Sequence, residues 1–203
     1  AVNRLVLASN NPGKLNEIRA LLAPLAIEVI AQSDLGIGEA QELHQTFLEN
    51  ALAKARHASA AAGLPALADD SGICVDALGG APGVHSAYYA GRQGGREVRD
   101  ARNNAKLLDA LRDVGDRRAH YYCVLVLVRH ADDPRPLVAE GVWQGEIAHV
   151  PRGAGGFGYD PLFLVPERGC TSAELDAAEK NRISHRGRAL EALTTRLRHE
   201  NRA

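Results

Sequence analysis

A chain of 203 residues with 45% hydrophobic and 24% charged content can bury a real core and is too apolar for a disordered segment. Its formal net charge of -1 argues against a nucleic-acid or membrane surface, so any anion site must be built locally. Cys74, Cys123 and Cys170 form no CxxC or Cys/His cluster, which argues against zinc and against a disulfide framework. No apolar run approaches the roughly 20 residues of a membrane span, and no signal-peptide pattern opens the chain; a cytoplasmic protein is expected.

In chain order, Arg4 to Ser9 reads as a short buried strand. Ser9-Asn10-Asn11-Pro12-Gly13-Lys14 follows, with Asn11 as helix N-cap and Pro12 at the first helical position. A strand ending at a helix N-terminus offers backbone N–H groups to an anion, and Lys14 adds a charge; a plain strand–helix turn has the same pattern. The Walker phosphate loop fails, because it needs Gly and Ser or Thr where the chain has Ala8 and Leu15. Ile27 to Gln32 is a second predicted strand. Thr46-Phe47-Leu48-Glu49 is a capping box opening a helix to about Ala62, ended by Gly63. Ala51, Ala55, Ala58 and Ala62 form a small-residue stripe, while Asn50, Lys54 and His57 share another face. Lys54 either snorkels to solvent or reaches a phosphate.

Ala68-Asp69-Asp70-Ser71-Gly72 places adjacent carboxylates at a predicted strand end. Their repulsion is offset by a hard divalent cation, or the segment is a solvated turn. Ile73 to Val75 resumes extended structure, Gly79 to Gly83 is a tight loop, and Gly91 to Arg96 is a polar Gly/Arg stretch. Arg99 to Leu111 reads as a helix, and Ala119 to Arg129 carries the strongest strand signal, with Leu137 to Val150 as its long antiparallel partner. Gly153, Gly155 and Gly158 satisfy GxGxxG, but Pro161 falls where a helix should begin and Leu162 to Val165 reads as a strand, so the dinucleotide reading fails. A loop presenting Phe157 to a ligand fits better. Thr171 to about Glu179 is a predicted short helix, Lys180 to Gly187 a donor-rich loop, and Arg188 to Glu200 a closing amphipathic helix. The whole predicts a mixed α/β architecture rather than a purely parallel sheet.

These stretches share one chemical character. Ser9 to Lys14 and Lys54 suit phosphates, Glu42, Asp69 and Asp70 suit Mg2+, and Lys180, His185 and Arg186 suit a base stacked on Phe157. The chain resembles the inosine/xanthosine triphosphate pyrophosphatase family through Ser9–Lys14, Thr46–Ala51 with Lys54-Ala55, Ala68–Gly72, Gly80–Gly83, Phe157–Pro161, and Lys180 with Ser184–Gly187, in the family's order. The resemblance implies one two-lobed domain over residues 1–203, with a mixed sheet and a central cleft, Mg2+ dependence and a homodimer. It implies hydrolysis of ITP, dITP, XTP or dXTP to the monophosphate and pyrophosphate. By position it implies Asp70 as catalytic carboxylate and metal ligand, and Glu42 as a further ligand. Ser9, Asn10, Asn11, Pro12, Gly13, Lys14, Lys54 and Ser71 would hold the triphosphate; Phe157, Gly158, Tyr159, Asp160, Lys180, His185 and Arg186 would hold purine and sugar. Two stretches depart from the family pattern: Gln41-Glu42-Leu43-His44-Gln45 lacks the usual acidic-Thr/Asp-Gly run, and Tyr88 stands where an Arg is usual. The rival readings are a nucleotide sensor without turnover and a pyrophosphatase for modified pyrimidine or methylated nucleotides.

Overall fold

A computed structural model describes residues 2–200. Seven strands form one sheet in the order β2-β1-β3-β4-β5-β6-β7. They are β1 (Arg4–Leu7), β2 (Glu28–Ala31), β3 (Ala66–Val75), β4 (Arg118–Val128), β5 (Leu137–Ile147), β6 (Phe163–Val165) and β7 (Cys170–Thr171). β1 pairs in parallel with β2 and with β3, whereas β6 pairs antiparallel with β5 and with β7. The mixed α/β class expected from the sequence is the one the chain forms.

The helices are α1 (Pro12–Leu22), α2 (Phe47–Ala62), α3 (Arg96–Ala110), α4 (Ala177–Ile183) and α5 (His185–Glu200). Asn11 caps α1, its side chain accepting from the Gly13 and Lys14 amides. Thr46 caps α2 through the Glu49 amide, and Gly63 closes it in the left-handed conformation at φ 66°.

The chain divides into two compact units. The first comprises the chain up to Asp70, Cys123–Gly141 and the segment from His185 onward; the second comprises Ser71–Tyr122 and Val142–Ser184. Each has its own apolar core. In the first, Leu5, Leu7 and Leu67 pack with Leu125 and Leu127 of β4, Ile18 and Leu22 of α1, and Leu190 and Leu193 of α5. In the second, Ile73, Val75, Leu107 and Leu111 pack with Tyr121, Trp143, Phe163 and Val165. Tyr121 and Phe163 contribute a ring pair with centroids 4.4 Å apart.

Four boundaries differ from the sequence reading. β3 does not end at Asp69-Asp70; it continues to Val75, and nearly all of it is buried. Local turn preference at Ser71-Gly72 yields to burial on both faces. α3 begins three residues early, at Arg96. The short helix predicted over Thr171 to Glu179 is instead β7, a single turn of 3-10 helix at Ser172–Glu174 and then α4. Thr171 forms a capping box with Glu174, and Asp176 caps α4 through the Glu179 amide. Lys180 therefore lies on α4, and His185 and Arg186 open α5 rather than occupying a loop. Ser184, extended at φ -68° and ψ 165°, separates the two helices.

Candidate active site

Successive residues of a strand point to opposite faces. Asp69 therefore shares the face of Leu67, toward α1 and α5, while Asp70 faces the other way. Strand pleating alone separates the two carboxylates, and each meets its own cations.

Asp69 is fully buried. Lys14 Nζ of α1 lies 3.2 Å from its Oδ1. Arg186 of α5, only 1% exposed, places Nη2 at 3.3 Å from Oδ2 and also pairs with Glu17. Burial pushes the Asp69 pKa up, but Lys14 and Arg186 outweigh it and hold the group well below the usual carboxylate range. Burial likewise works against the Arg186 charge, and Asp69 and Glu17 more than restore it. The Cys123 thiol faces the same carboxylate at 4.0 Å and is pushed up to about 12, first by burial and then by that charge. Asp69 is thus a permanently ionised anchor.

Asp70 behaves oppositely. It is 5% exposed, and burial pushes its pKa up to about 6 against the pull of Lys54, with Glu42 and Asp69 adding to the rise. Lys54 Nζ stands 2.8 Å from Glu42 Oε1 and 3.7 Å from Asp70 Oδ1. Burial opposes the Lys54 charge, but the three acidic neighbours raise its pKa, so it stays an ammonium. Among the described residues no group of three or more His, Cys, Asp or Glu side chains is arranged to hold a metal ion. The donor chemistry nevertheless fits a hard cation. Asp70 and Glu42 are oxygen donors sharing one ammonium, and their mutual charge still raises Asp70, which is repulsion a divalent ion relieves.

Glu42 lies on an irregular segment between β2 and α2 that α2 holds at three points. Asn50, 1% exposed, uses its Oδ1 to accept the His44 N–H at 3.0 Å and its Nδ2 to donate to the His44 carbonyl at 3.2 Å. Lys54 takes Glu42, and His57 Nε2 is 3.1 Å from the Gly38 carbonyl. Asn50, Lys54 and His57 are the shared helix face seen in the sequence. Asn50→Ala should cost about 1–3 kcal/mol by stranding both His44 groups. The His44 amide should then exchange with solvent at least about tenfold faster; unchanged exchange would contradict this account of how Glu42 is placed.

The α1 N-terminus differs from expectation. Its amides are not free: Asn11 Oδ1 accepts from Gly13 and Lys14 at 2.9 and 3.3 Å, and Ser9 Oγ accepts from the Asn11 amide at 3.1 Å. Asn10 Oδ1 accepts from Gln32 at 3.1 Å. A helix end next to a buried sheet satisfies its own donors first. What this segment presents to a ligand is chiefly the Lys14 ammonium. Ser71 follows Asp70 on β3.

The second unit carries a separate polar cluster centred on Asp160, which is 2% exposed. Its Oδ2 accepts from Lys180 Nζ at 2.7 Å and from the Phe157 amide at 3.0 Å. Its Oδ1 accepts from Ser172 at 2.8 Å and Tyr121 at 3.1 Å. Lys180 Nζ also sits 4.6 Å from the centroid of the Phe157 ring. Tyr159 donates to the Ser86 carbonyl at 2.6 Å, and burial raises its pKa. Of the glycines before Phe157, Gly156 makes room for this cluster. A Cβ on Gly156, at φ +69°, would lie 2.0 Å from Asp160 Oδ2. In the first unit, a Cβ on Gly141 would lie 2.1 Å from the His185 carbonyl, so a bare β5 backbone seats the buried His185 at the start of α5.

The predicted residues thus fall into two groups. Glu42, Lys54, Lys14, Asp70 and Arg186 gather around the carboxylate pair, and Phe157, Asp160 and Lys180 gather around a ring. Arg186, read from the sequence as a purine donor, is committed here to Asp69 and Glu17. Sequence reasoning missed Glu17, Tyr121, Ser172 and the Asn50 clamp. Glu17 left one trace, an acidic residue beside the apolar stripe of α1.

Fold and clusters together define a mixed α/β protein with an acid–cation centre suited to a phosphorylated ligand. Residues 5–196 match the Ham1 family, and the chain belongs to it. It is 66% identical over 197 residues to the dITP/XTP pyrophosphatase of Burkholderia pseudomallei, covering 97% of this chain and 94% of that protein. It is 65% identical over 197 residues to that of Ralstonia nicotianae, covering 97% and 98%. Among solved structures, a HAM1 protein from Coxiella burnetii superposes with a TM-score of 0.88 at 50% identity, covering 97% of this chain and 98% of that one.

Proposed function

We propose that the chain hydrolyses non-standard purine nucleoside triphosphates, dITP/ITP and XTP/dXTP, to the monophosphate and pyrophosphate. The observation that carries this reading is the divided carboxylate pair. Neighbouring acids whose environments drive their pKa values apart are suited to different tasks. Asp69 stays ionised and anchors Lys14 and Arg186. Asp70, whose pKa burial pushes up to about 6 in the metal-free protein, is the carboxylate we assign to orient the attacking water and take its proton.

Lys14 and Lys54 meet the phosphates, with Ser9, Asn10, Asn11, Pro12, Gly13 and Ser71 beside them. Asp70 and Glu42 are the residues that would hold Mg2+, which supplies charge screening on the phosphates and a more acidic water. As the α–β bond breaks, charge grows on the leaving pyrophosphate, and Lys54, poised by three carboxylates and 3.7 Å from Asp70, is placed to offset it. Phe157 offers its ring to the purine. Gly158, Tyr159, Asp160, Lys180 and His185 complete the purine and sugar contacts, while Arg186 holds Asp69 and Glu17 in the carboxylate centre.

A 6-oxo purine accepts from the Lys180 ammonium, whereas adenine turns a 6-amino donor toward it. With Mg2+, dITP and XTP should turn over at least about a hundredfold better than ATP in kcat/KM. Equal turnover of ATP would overturn the purine assignment. The same reading includes a homodimer and a cytoplasmic location. No described helix is long and apolar enough to cross a membrane.

A further inference from the structure

Helix α3 holds Gly158, the residue that follows Phe157. Asp100 and Asn104 are four residues apart and hence neighbours on one side of the helix. Asp100 Oδ2 accepts the Gly158 N–H at 3.0 Å, and Asn104 Nδ2 donates to the Gly158 carbonyl at 3.0 Å. One helical turn therefore takes both main-chain polar groups of a single residue. That residue is in the left-handed region, at φ +62°. The Asn104 amide oxygen is buried without a hydrogen-bond partner among the described residues, so the side chain accepts an unmet group to serve the Gly158 carbonyl.

We propose that Asp100 and Asn104 are positioning residues for purine recognition, their clamp on Gly158 setting where the Phe157 ring stands. The proposal rests on the purine reading above. Phe157 is otherwise fixed through its amide to Asp160 and through Lys180 over its ring. It follows a run with glycine at 153, 155 and 156, whose freedom would have to be lost on binding. A clamp that orders the ring beforehand lowers KM and leaves the chemical step alone.

The clamp is chemically asymmetric, an acceptor at 100 and a donor at 104, and this makes it testable. Asp100→Asn keeps an acceptor oxygen; Asp100→Ala does not. Asn104→Asp sets a carboxylate against a carbonyl. For dITP, Asp100→Ala and Asn104→Asp should each raise KM about five- to thirtyfold with kcat within about twofold, and Asp100→Asn should recover most of the loss. In the ligand-free protein, Gly158 amide exchange should quicken about tenfold in Asp100→Ala and far less in Asp100→Asn. KM within twofold for both variants, a loss falling on kcat instead, or an Asp100→Asn as impaired as Asp100→Ala would overturn the clamp. If the parent enzyme itself fails to prefer dITP over ATP, the purine reading fails, and the Gly158 exchange still reports on the clamp. The two positions test opposite ends of it, so misfolding of one variant leaves the other decisive.

Discussion

Asp70→Asn should abolish turnover and raise stability in the same protein. The amide cannot take a proton from water, so kcat should fall at least about a hundredfold. A variant keeping more than about a tenth of parental activity would remove Asp70 from the centre of the mechanism. The stability gain follows from linkage. Asp70 titrates near 3.8 when exposed and at about 6 in the fold, chiefly because burial penalises its charge. Between those values the folded state binds more protons than the unfolded state, so this group's contribution falls as pH rises through the window and stays unfavourable above it. At about 1.4 kcal/mol per unit, the penalty at pH 7 is at most about 3 kcal/mol. Asn carries no such penalty. In metal-free buffer the variant should melt several degrees above the parent at pH 7, and the gap should close toward pH 4. A lower melting temperature at pH 7 would contradict the account of Asp70 as a buried group kept against its cost.

Arg186→Met should be among the most destabilising single changes in the first unit. Removing the guanidinium takes from Glu17 the cation it pairs with here and from Asp69 one of the two cations that ion-pair with it among the described residues, Lys14 being the other. Breaking a buried pair from one side costs about 3–5 kcal/mol, on the order of 10 °C for a chain of this size. Arg186→Lys should recover little, because a point charge cannot reach both carboxylates with a planar fork. Glu17→Gln combined with Arg186→Met should be more stable than Arg186→Met alone, since the carboxylate that faced the guanidinium is then neutral. Urea unfolding of the three variants measures this. Strict additivity in the double variant would mean that Glu17 and Arg186 do not act as a pair.

Local rules made α2 legible from Thr46 to Gly63, and α1 from Asn11-Pro12, because caps and breakers sit within a turn of the ends they define. β3 was obscured because Asp-Asp-Ser-Gly reads locally as a strand end. It runs through only because Lys14, Lys54 and Arg186 arrive from three helices to neutralise it. The Arg186–Asp69 contact joins residues 117 apart, and no spacing rule reaches that far. The motifs did carry the family and the fold class, since they are stretches of chain rather than contacts. Which donor faces which acceptor at Asp160 depended on α4 starting at Ala177, a boundary set by the Asp176 cap and hidden within an acidic run.

Cleavage at the α–β bond by water is tested most directly by the product balance of dITP hydrolysis with Mg2+, read as nucleotide and phosphate species together. One dIMP and one pyrophosphate per dITP consumed, with no orthophosphate at early times, is the predicted result. Accumulation of dIDP with orthophosphate would contradict it.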